Sequence, residues 1–201
     1  TGYLTTVLDN QGNQTATLVA SGSNRKYVTI NEIPINLQHA FVAIEDERFY
    51  DHNGIDLQGI LRAGLKGVAS GFHFSEGAST ITQQLLKNTV FTQWTSEQSM
   101  ADKFERKFQE QYLALQLEKV VDKDWILENY LNAINLGQNT LGVGVASERY
   151  FGKDVSDLTL SECAVLAAIT QSPSYYNPIT HPDHNKERRQ KVLNNMLDQG
   201  Y

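Results

Sequence analysis

The stretch IPINLQHAFVAIEDERFYDHNGID, residues 33–56, contains the strongest structural signal in this sequence. Its apolar side chains recur every three or four residues, as they do in an amphipathic helix with one buried face. These side chains are Ile33, Leu37, Phe41 and Ile44. Pro34 suits the first turn of such a helix, because the first N–H groups of a helix have no partner within it. The pattern predicts a core helix that ends at an acidic run, residues 45–47.

The helical period continues through the rest of the chain. Thr159 and Glu162 form a capping-box pattern at the start of one apolar segment, and the acidic residues near 122–124 supply a cap for another. Further helices are predicted at 79–91, 100–121, 125–133, 160–170 and 187–199.

Residues 1–30 show a strand pattern rather than a helical one. Two Thr- and Val-containing segments, 3–8 and 15–19, flank an Asn/Gly turn, which predicts a β-hairpin. We therefore expect a mainly α fold with a short N-terminal β-hairpin. The expected domains are a β lead-in at 1–30 and a helical domain at 31–201.

Composition excludes several classes of protein. The 201 residues are 40% hydrophobic and 20% charged, a globular mixture rather than a disordered one. The chain has 17 Lys and Arg residues and 23 Asp and Glu residues, so its net charge is −6. It therefore has no overall positive potential that would attract nucleic acid. The single cysteine, Cys163, excludes an internal disulfide and a thiolate zinc cluster, and its apolar neighbours predict a buried side chain. No apolar run approaches the length of a membrane-spanning helix.

One region does not fit a regular core. The segment 64–77 holds four glycines together with Phe72, His73 and Phe74, and residues 90–94 add further apolar groups. Such a segment is either a mobile loop that contacts lipid headgroups or a loop packed on the body of the domain, and composition alone favours the packed loop.

A first group of candidate functional residues follows the core helix. Glu45 comes directly after the apolar stripe, so we expect it at the edge of the core. A partly desolvated carboxylate is a better proton acceptor at neutral pH, which makes Glu45 a candidate general base. The other acidic residues of this run are more simply a solvated helix end.

A second group lies on the helix predicted from residue 79. Thr80, Gln84 and Lys87 are spaced i, i+4 and i+7 and predict one polar stripe, while Ile81 and Leu85 anchor the opposite side. An uncharged Thr and Gln stripe is not needed for solubility. It therefore indicates a binding surface, next to backbone N–H groups that suit an anion.

A third group combines cations with a carboxylate. Arg106, Lys107 and Glu110 lie near one face of the helix predicted at 100–121. These side chains either clamp a phosphate or form ordinary salt bridges on a wet helix, and their spacing alone does not choose between the two.

Taken together, these groups resemble the glycosyltransferase family 51 domain, the peptidoglycan transglycosylase module of class A penicillin-binding proteins and of monofunctional transglycosylases. The resemblance covers residues 28–201 and rests on five blocks in the family's order, which makes it highly specific. The blocks are AFVAIEDERFYDHNGID (40–56), EGASTITQQLLKN (76–88), ERKFQEQYLALQLEK (105–119), ILENYLNAINLGQNTLGVGVASERYFGK (126–153) and LTLSECAVLAAITQSPSYYNP (158–178).

The resemblance implies a role for each matching residue. Glu45 would be the general base that deprotonates the 4-hydroxyl of the acceptor sugar in lipid II, and Glu110 would organise the departing pyrophosphate with Arg106 and Lys107. The residues that would shape the pocket around the base are Asp46, Phe49 and His52. Those that would contact the donor sugar and phosphates are Ser79, Thr80, Gln84, Lys87, Asn88 and Arg188.

The resemblance also implies the fold, the reaction and the setting. It implies a lysozyme-like α-helical fold with a small, flexible, membrane-facing lobe near 64–100. The domain would act at the outer face of the cytoplasmic membrane, where residues 1–30 would link it to a membrane anchor outside this sequence. Lipid II would be joined to the growing β-1,4-linked glycan strand with inversion, releasing undecaprenyl pyrophosphate. No cofactor is required, although a divalent cation, Mg²⁺ or Mn²⁺, could bind at the pyrophosphate. A C-terminal transpeptidase domain could follow in the full-length protein.

Two alternatives remain open from the sequence. A muramidase would use the same carboxylate logic on the same fold, but the cleavage of a neutral glycosidic bond needs no cluster of cations such as Lys87, Arg106 and Lys107. A lipid II-binding scaffold without turnover would keep the cleft, although the intact Glu45 and Glu110 argue against such a loss.

Overall fold

A computed structural model describes residues 5–8, 14–18, 26–69, 79–90 and 100–201 of the chain. Within these ranges the strands β1 (Thr5–Leu8) and β2 (Gln14–Leu18) pair antiparallel, which confirms the predicted hairpin. The remaining regular structure is helical. The helices are α1 (Ile35–Glu45), α2 (Leu57–Ala69), α3 (Ile81–Thr89), α4 (Met100–Leu117), α5 (Lys123–Ala133), α6 (Val143–Phe151), α7 (Leu160–Ile169) and α8 (Pro182–Asp198).

Helix α7 lies at the centre of the core. All seven of its residues from Cys163 to Ile169 are buried, as expected for a helix that is apolar on every side. Helices α1, α6 and α8 pack around it, while α3 packs against α4 and α5. The Cys163 thiol is fully buried, and this burial raises its pKa to about 12. The prediction that Cys163 is a small core residue is therefore confirmed.

The predicted caps are present at the helix starts. Asp122 accepts a hydrogen bond of 2.8 Å from the backbone N–H of Trp125 at the start of α5. At the start of α7, the Thr159 hydroxyl accepts from the Glu162 N–H at 3.4 Å, and the Glu162 carboxylate accepts from the Thr159 N–H at 2.8 Å. These short-range patterns determine where α5 and α7 begin.

Three helices differ from the sequence-based expectation. Helix α2 was not predicted, because Gly64 within it lowers helix propensity and suggested a loop, yet the structure is helical to Ala69. Helix α6 was also missed, and α8 begins at Pro182 rather than at 187, with proline in its first turn. Within the described part of the chain, no helix has both the length and the apolar composition of a membrane span.

The boundaries of the predicted small lobe and lead-in stay predictions. Residues 70–78 and 91–99, which include the aromatic loop, lie outside the described residues. Helix α3 falls inside the predicted lobe, but its Ile81 and Leu85 belong to the main core. Within the predicted lead-in, Val28 is also a core residue, and its backbone exchanges hydrogen bonds of 2.9 and 2.7 Å with the Asn132 side chain of α5.

Glu162 tests how much this local chemistry stabilises the fold. Hydrogen bonds from Lys153 and from the Thr159 N–H lower the Glu162 pKa from 4.5 to about 2. A lowered pKa stabilises the folded state above pH 4.5, and this stabilisation is lost as the pH falls from 4.5 towards 2. We expect Glu162→Ala to lower the free energy of unfolding by about 1 kcal/mol at pH 7. Urea unfolding across this pH range measures the difference.

Glu162→Gln is the matched control for this prediction, because it keeps the capping oxygen and removes only the charge. Its loss of stability at pH 7 is expected to be smaller than that of Glu162→Ala. A deficit in Glu162→Gln that stays constant from pH 7 to pH 2 would contradict the role assigned to the charge.

Candidate functional site

A pocket of about 410 Å³ opens where α1, α3, α4 and α8 meet the segments that follow α5 and α7. Its walls combine carboxylates, amides and cations with a few apolar groups. The lining residues are Ile44, Glu45, Ser79, Gln83, Gln84, Lys87, Asn88, Glu110, Ile134, Asn135, Thr170, Gln171, Pro173 and Arg188. The pocket therefore gathers side chains from six of the eight described helices or their ends.

Glu45, the last residue of α1, is held in the pocket wall. Its Oε2 accepts a hydrogen bond of 2.9 Å from the Gln84 amide, and its Oε1 accepts one from the Thr170 hydroxyl. The Arg188 guanidinium lies 3.9 Å from Oε1. Only 14% of the Glu45 side chain is exposed, so the expectation that it lies at the edge of the core is confirmed.

Tyr130 determines the orientation of the Gln84 amide. Its ring is fully buried in α5, and its hydroxyl donates to Gln84 Oε1 at 3.3 Å. Burial, with the nearby Glu45 and Asp46 carboxylates, raises the Tyr130 pKa well above its ordinary value, so the phenol keeps its proton and remains a donor. The Gln84 oxygen therefore faces Tyr130, and its NH₂ group faces Glu45.

Asp46 ties α1 to the start of α3. Its side chain is 2% exposed and accepts from the backbone N–H of Ile81 at 2.9 Å, and from His52 Nε2 at the same distance. His52 Nδ1 accepts the N–H of Gly54 at 3.1 Å, which places the proton of the neutral ring on Nε2. Gly54 is required here because its φ is +91° and a Cβ would lie 2.6 Å from the backbone of Ala114.

Phe49 and Lys123 support this arrangement from behind. The Phe49 ring is fully buried and meets the His52 ring edge to face at 6.3 Å. The Lys123 ammonium lies 4.6 Å from the Phe49 ring centre and donates to the His52 carbonyl at 2.7 Å. These contacts fix the loop that follows α1 and so keep His52 within hydrogen-bond distance of Asp46.

Glu110 forms a second charged centre in the pocket. Its side chain is 2% exposed and pairs with Arg106 and Lys107, one turn earlier on α4. The Lys107 ammonium lies 3.2 Å from Glu110 Oε2 and also donates to the Ser79 hydroxyl at 2.8 Å. Ser79 thereby connects the cationic face of α4 to the start of α3.

Lys87 contributes a further cation. It lines the pocket from α3 and is exposed, and no carboxylate of the described residues pairs with it. Its ammonium adds positive charge to the pocket wall. Among the described residues, no three His, Cys, Asp or Glu side chains come together in a cluster that could hold a metal ion.

The structure brings most of the sequence-predicted residues together. Asp46, Phe49 and His52 lie behind the pocket, and Arg106 and Lys107 reach it through Glu110. The predicted residues that line the pocket itself are Glu45, Ser79, Gln84, Lys87, Asn88, Glu110 and Arg188.

Thr80 requires a correction. It is 2% exposed and does not line the pocket: its hydroxyl donates to the Gly54 carbonyl at 2.8 Å and accepts from the Gln83 N–H as the N-cap of α3. As the N-cap of α3, Thr80 points its side chain inward and positions the helix. It is therefore not part of the predicted polar stripe. Gln83 lines the pocket instead, although its side chain is largely buried. It is spaced i, i+4 from Lys87, so the same helical spacing could have identified it.

Thr170 was missed entirely by the sequence analysis. It is 125 residues from Glu45 in the chain, and no short-range pattern connects the two. The end of α7 places it against the carboxylate.

Asp46 allows a direct test of this architecture. Asp46→Ala would leave the buried Ile81 N–H and His52 Nε2–H without their acceptor, which we expect to lower the free energy of unfolding by about 3 kcal/mol. Urea unfolding monitored by circular dichroism measures the change. Asp51→Ala, at an exposed position of the same loop, is the control and should change stability by less than about 0.5 kcal/mol. Equal effects of the two variants would refute the role of Asp46.

Comparison with known proteins is consistent with this geometry. The chain matches the transglycosylase family over residues 11–197. It is 47% identical over 196 residues to penicillin-binding protein 1F of Bacillus subtilis, a match that covers 97% of this chain and 26% of that protein. It is also 47% identical over 174 residues to penicillin-binding protein 1A of Escherichia coli, covering 87% of this chain and 20% of that one. The chain thus spans about a quarter of the length of these relatives.

A solved structure shows the same fold. The crystal structure of penicillin-binding protein 1A from Haemophilus influenzae matches all of this chain over 19% of its own length, with a TM-score of 0.51 and 24% identity. The mainly α, lysozyme-like fold predicted from the sequence is confirmed. On the match over residues 11–197 and the identity to these relatives, the chain belongs to the transglycosylase family.

Proposed function

We propose that this domain is a peptidoglycan glycosyltransferase that polymerises lipid II into β-1,4-linked glycan strands and releases undecaprenyl pyrophosphate. The observation that carries the proposal is a single pocket lined by the Glu45 carboxylate and by the cations Lys87 and Arg188. A glycosyl transfer from a sugar pyrophosphate needs both elements, a base for the incoming hydroxyl and positive charge for the leaving group.

Glu45 is the proposed general base. Its carboxylate is mostly shielded from water and is held by the neutral donors Gln84 and Thr170. It would take the proton of the acceptor 4-hydroxyl while that oxygen forms the new bond to the anomeric carbon of the donor. Hydrogen bonds to both carboxylate oxygens fix its rotamer, so that little reorganisation is needed when the substrate binds.

The cations are proposed to receive the departing pyrophosphate. Lys87 and Arg188 line the pocket directly, and Lys107 reaches Ser79 at its wall. As the bond to the anomeric carbon breaks, the electron pair goes to the pyrophosphate oxygen, and these charges stabilise it. The proposal needs no cofactor. A divalent cation, Mg²⁺ or Mn²⁺, is compatible with the proposal as a further charge on the pyrophosphate oxygens themselves.

An inverting displacement accounts best for this use of the residues. A retaining enzyme needs two carboxyl groups about 5–5.5 Å apart, one of them acting as a nucleophile. Here Glu45 ends α1 and Glu110 lies on α4, where it is paired with two cations. Glu110 is therefore proposed to organise the leaving-group side, and Glu45 acts alone as the base.

The cellular setting is part of the same proposal. The relatives are named penicillin-binding proteins and are about four times as long as this chain. We propose that the domain acts at the outer face of the cytoplasmic membrane, together with a transpeptidase domain in the full-length protein. The lobe predicted at 64–100 would meet the membrane surface and guide the lipid tail.

Substitution of the proposed base and of Lys87, a cation that lines the pocket, tests the reaction. We expect Glu45→Gln to lower the rate of glycan formation from labelled lipid II by 100-fold or more, because the proton acceptor is lost. Lys87→Ala should lower it by about 10–100-fold, because charge on the leaving group is left without compensation. Electrophoresis of the products in detergent measures both.

Glu187→Gln and Lys191→Ala on exposed positions of α8 are the matched controls and should retain full activity. Glycan ladders that persist in Glu45→Gln would refute the assignment of the base. Cleavage of preformed glycan without polymerisation would show a muramidase, and binding of lipid II without product would show a scaffold.

The stereochemistry of the product tests the mechanism separately. An inverting displacement converts the α-linked donor to a β-linkage in one step, with no glycosyl-enzyme intermediate. Nuclear magnetic resonance of the product should show β-linkages throughout. Mass spectrometry of quenched single turnovers should find the chain without added mass, and a glycosylated Glu110 peptide would contradict the mechanism.

A further inference from the structure

The Thr170 hydroxyl has two acceptors and one hydrogen. Thr170 follows the last residue of α7, and its Oγ1 lies within hydrogen-bond distance of Glu45 Oε1 and, at 2.9 Å, of the Ala167 carbonyl. Because a hydroxyl donates one hydrogen and accepts through its lone pairs, only one of these bonds can be donated at a time. The Thr170 hydroxyl therefore has two alternative hydrogen-bonded states.

The charge of Glu45 decides which state is satisfied. An ionised carboxylate only accepts hydrogen bonds, so Thr170 donates to it. A protonated carboxyl must donate its new hydrogen. At Oε2 it faces the NH₂ group of Gln84, which cannot accept, whereas at Oε1 it faces the Thr170 oxygen, which can. Thr170 then turns its own hydrogen to the Ala167 carbonyl.

We propose that Thr170 is a positioning residue for the general base, whose hydroxyl reverses its hydrogen bond when Glu45 takes the proton of the substrate. The inference rests on the proposed function. In the step, the O–H bond of the acceptor sugar breaks and its proton goes to Glu45 Oε1. Oε1–H then donates to Thr170 Oγ1, and Thr170 donates to Ala167, so both carboxylate states keep a full set of partners. The sugar oxygen meanwhile bonds to the anomeric carbon, and the pyrophosphate leaves with its electron pair.

Thr170 differs from the other groups that contact Glu45 because its hydroxyl can both donate and accept a hydrogen bond. Arg188, 3.9 Å from Oε1, stabilises only the ionised carboxylate, and Gln84 can only donate to it. The charged and titratable groups that face or neighbour Glu45 on the packed elements are Asp46, Lys87, Glu110, Tyr130 and Arg188. Thr170 adds no charge to this set. By rotation of its hydroxyl it can form a hydrogen bond with Glu45 in both the ionised and the protonated state.

The test compares Thr170→Val, which keeps the shape but removes the hydroxyl, with the wild type. We expect kcat for lipid II polymerisation to fall about tenfold with KM within about twofold, because a hydrogen bond to a charged group is lost at the base and not in binding. Thr89→Val is the matched control: the Thr89 hydroxyl donates to the Leu85 carbonyl at 2.7 Å and touches no carboxylate.

A second pair of variants keeps the inference testable if Thr170→Val does not fold. Thr170→Ser keeps the hydroxyl and should stay within about threefold of the wild-type kcat, whereas Thr170→Ala should behave like Thr170→Val. Thermal unfolding of all variants shows which are folded. A hydroxyl-free variant that is folded and keeps the kcat of the wild type and of Thr170→Ser overturns the inference, even if its Tm has changed. A wild-type domain that forms no glycan overturns the proposed function instead.

Discussion

The buried carboxylate of Asp46 is the contact on which the rest of the pocket depends. It receives the first N–H of α3 and the His52 ring, both at 2.9 Å, and it is adjacent to Glu45 in the chain. An ionised group in a buried position is tolerated only when donors satisfy it, so these bonds allow little movement. They hold the end of α1 at a constant distance from α3, which carries Gln84 and Lys87. The spacing between the proposed base and the proposed phosphate contact is thus set by one buried side chain.

The two carboxylates of the pocket differ in the charge of their partners. Glu110 is bound by two cations, Arg106 and Lys107, whereas the hydrogen bonds to Glu45 come from the neutral groups of Gln84 and Thr170. Among the described residues, Arg188, 3.9 Å from Oε1, is the cation within ion-pair distance of Glu45. This asymmetry supports the proposal that one pocket holds both a proton acceptor and a leaving-group site.

Short-range chemistry made part of this structure predictable. The apolar spacing before Glu45, the Thr159 and Glu162 capping box and the Asp122 cap each act within one or two helical turns, and the structure contains all of them. Helix α2 escaped prediction because its glycines oppose a helix locally, and local propensity is a weak force that tertiary packing overrides. The prediction for Thr80 was wrong for a related reason. The i, i+4, i+7 spacing places side chains on one face only if every residue is helical, and Thr80 is the non-helical N-cap.

The sequence by itself determined the helical class, the starts of α5 and α7, and the residue types available for acid–base and phosphate chemistry. It did so because caps, periodicity and composition are properties of neighbouring residues. Only the tertiary structure decided that Thr170 reaches across 125 positions to Glu45, that Tyr130 turns the Gln84 amide, and that Thr80 faces inward. These contacts depend on how α3, α5 and α7 pack, and the free energy of packing is shared among residues that are distant in the chain.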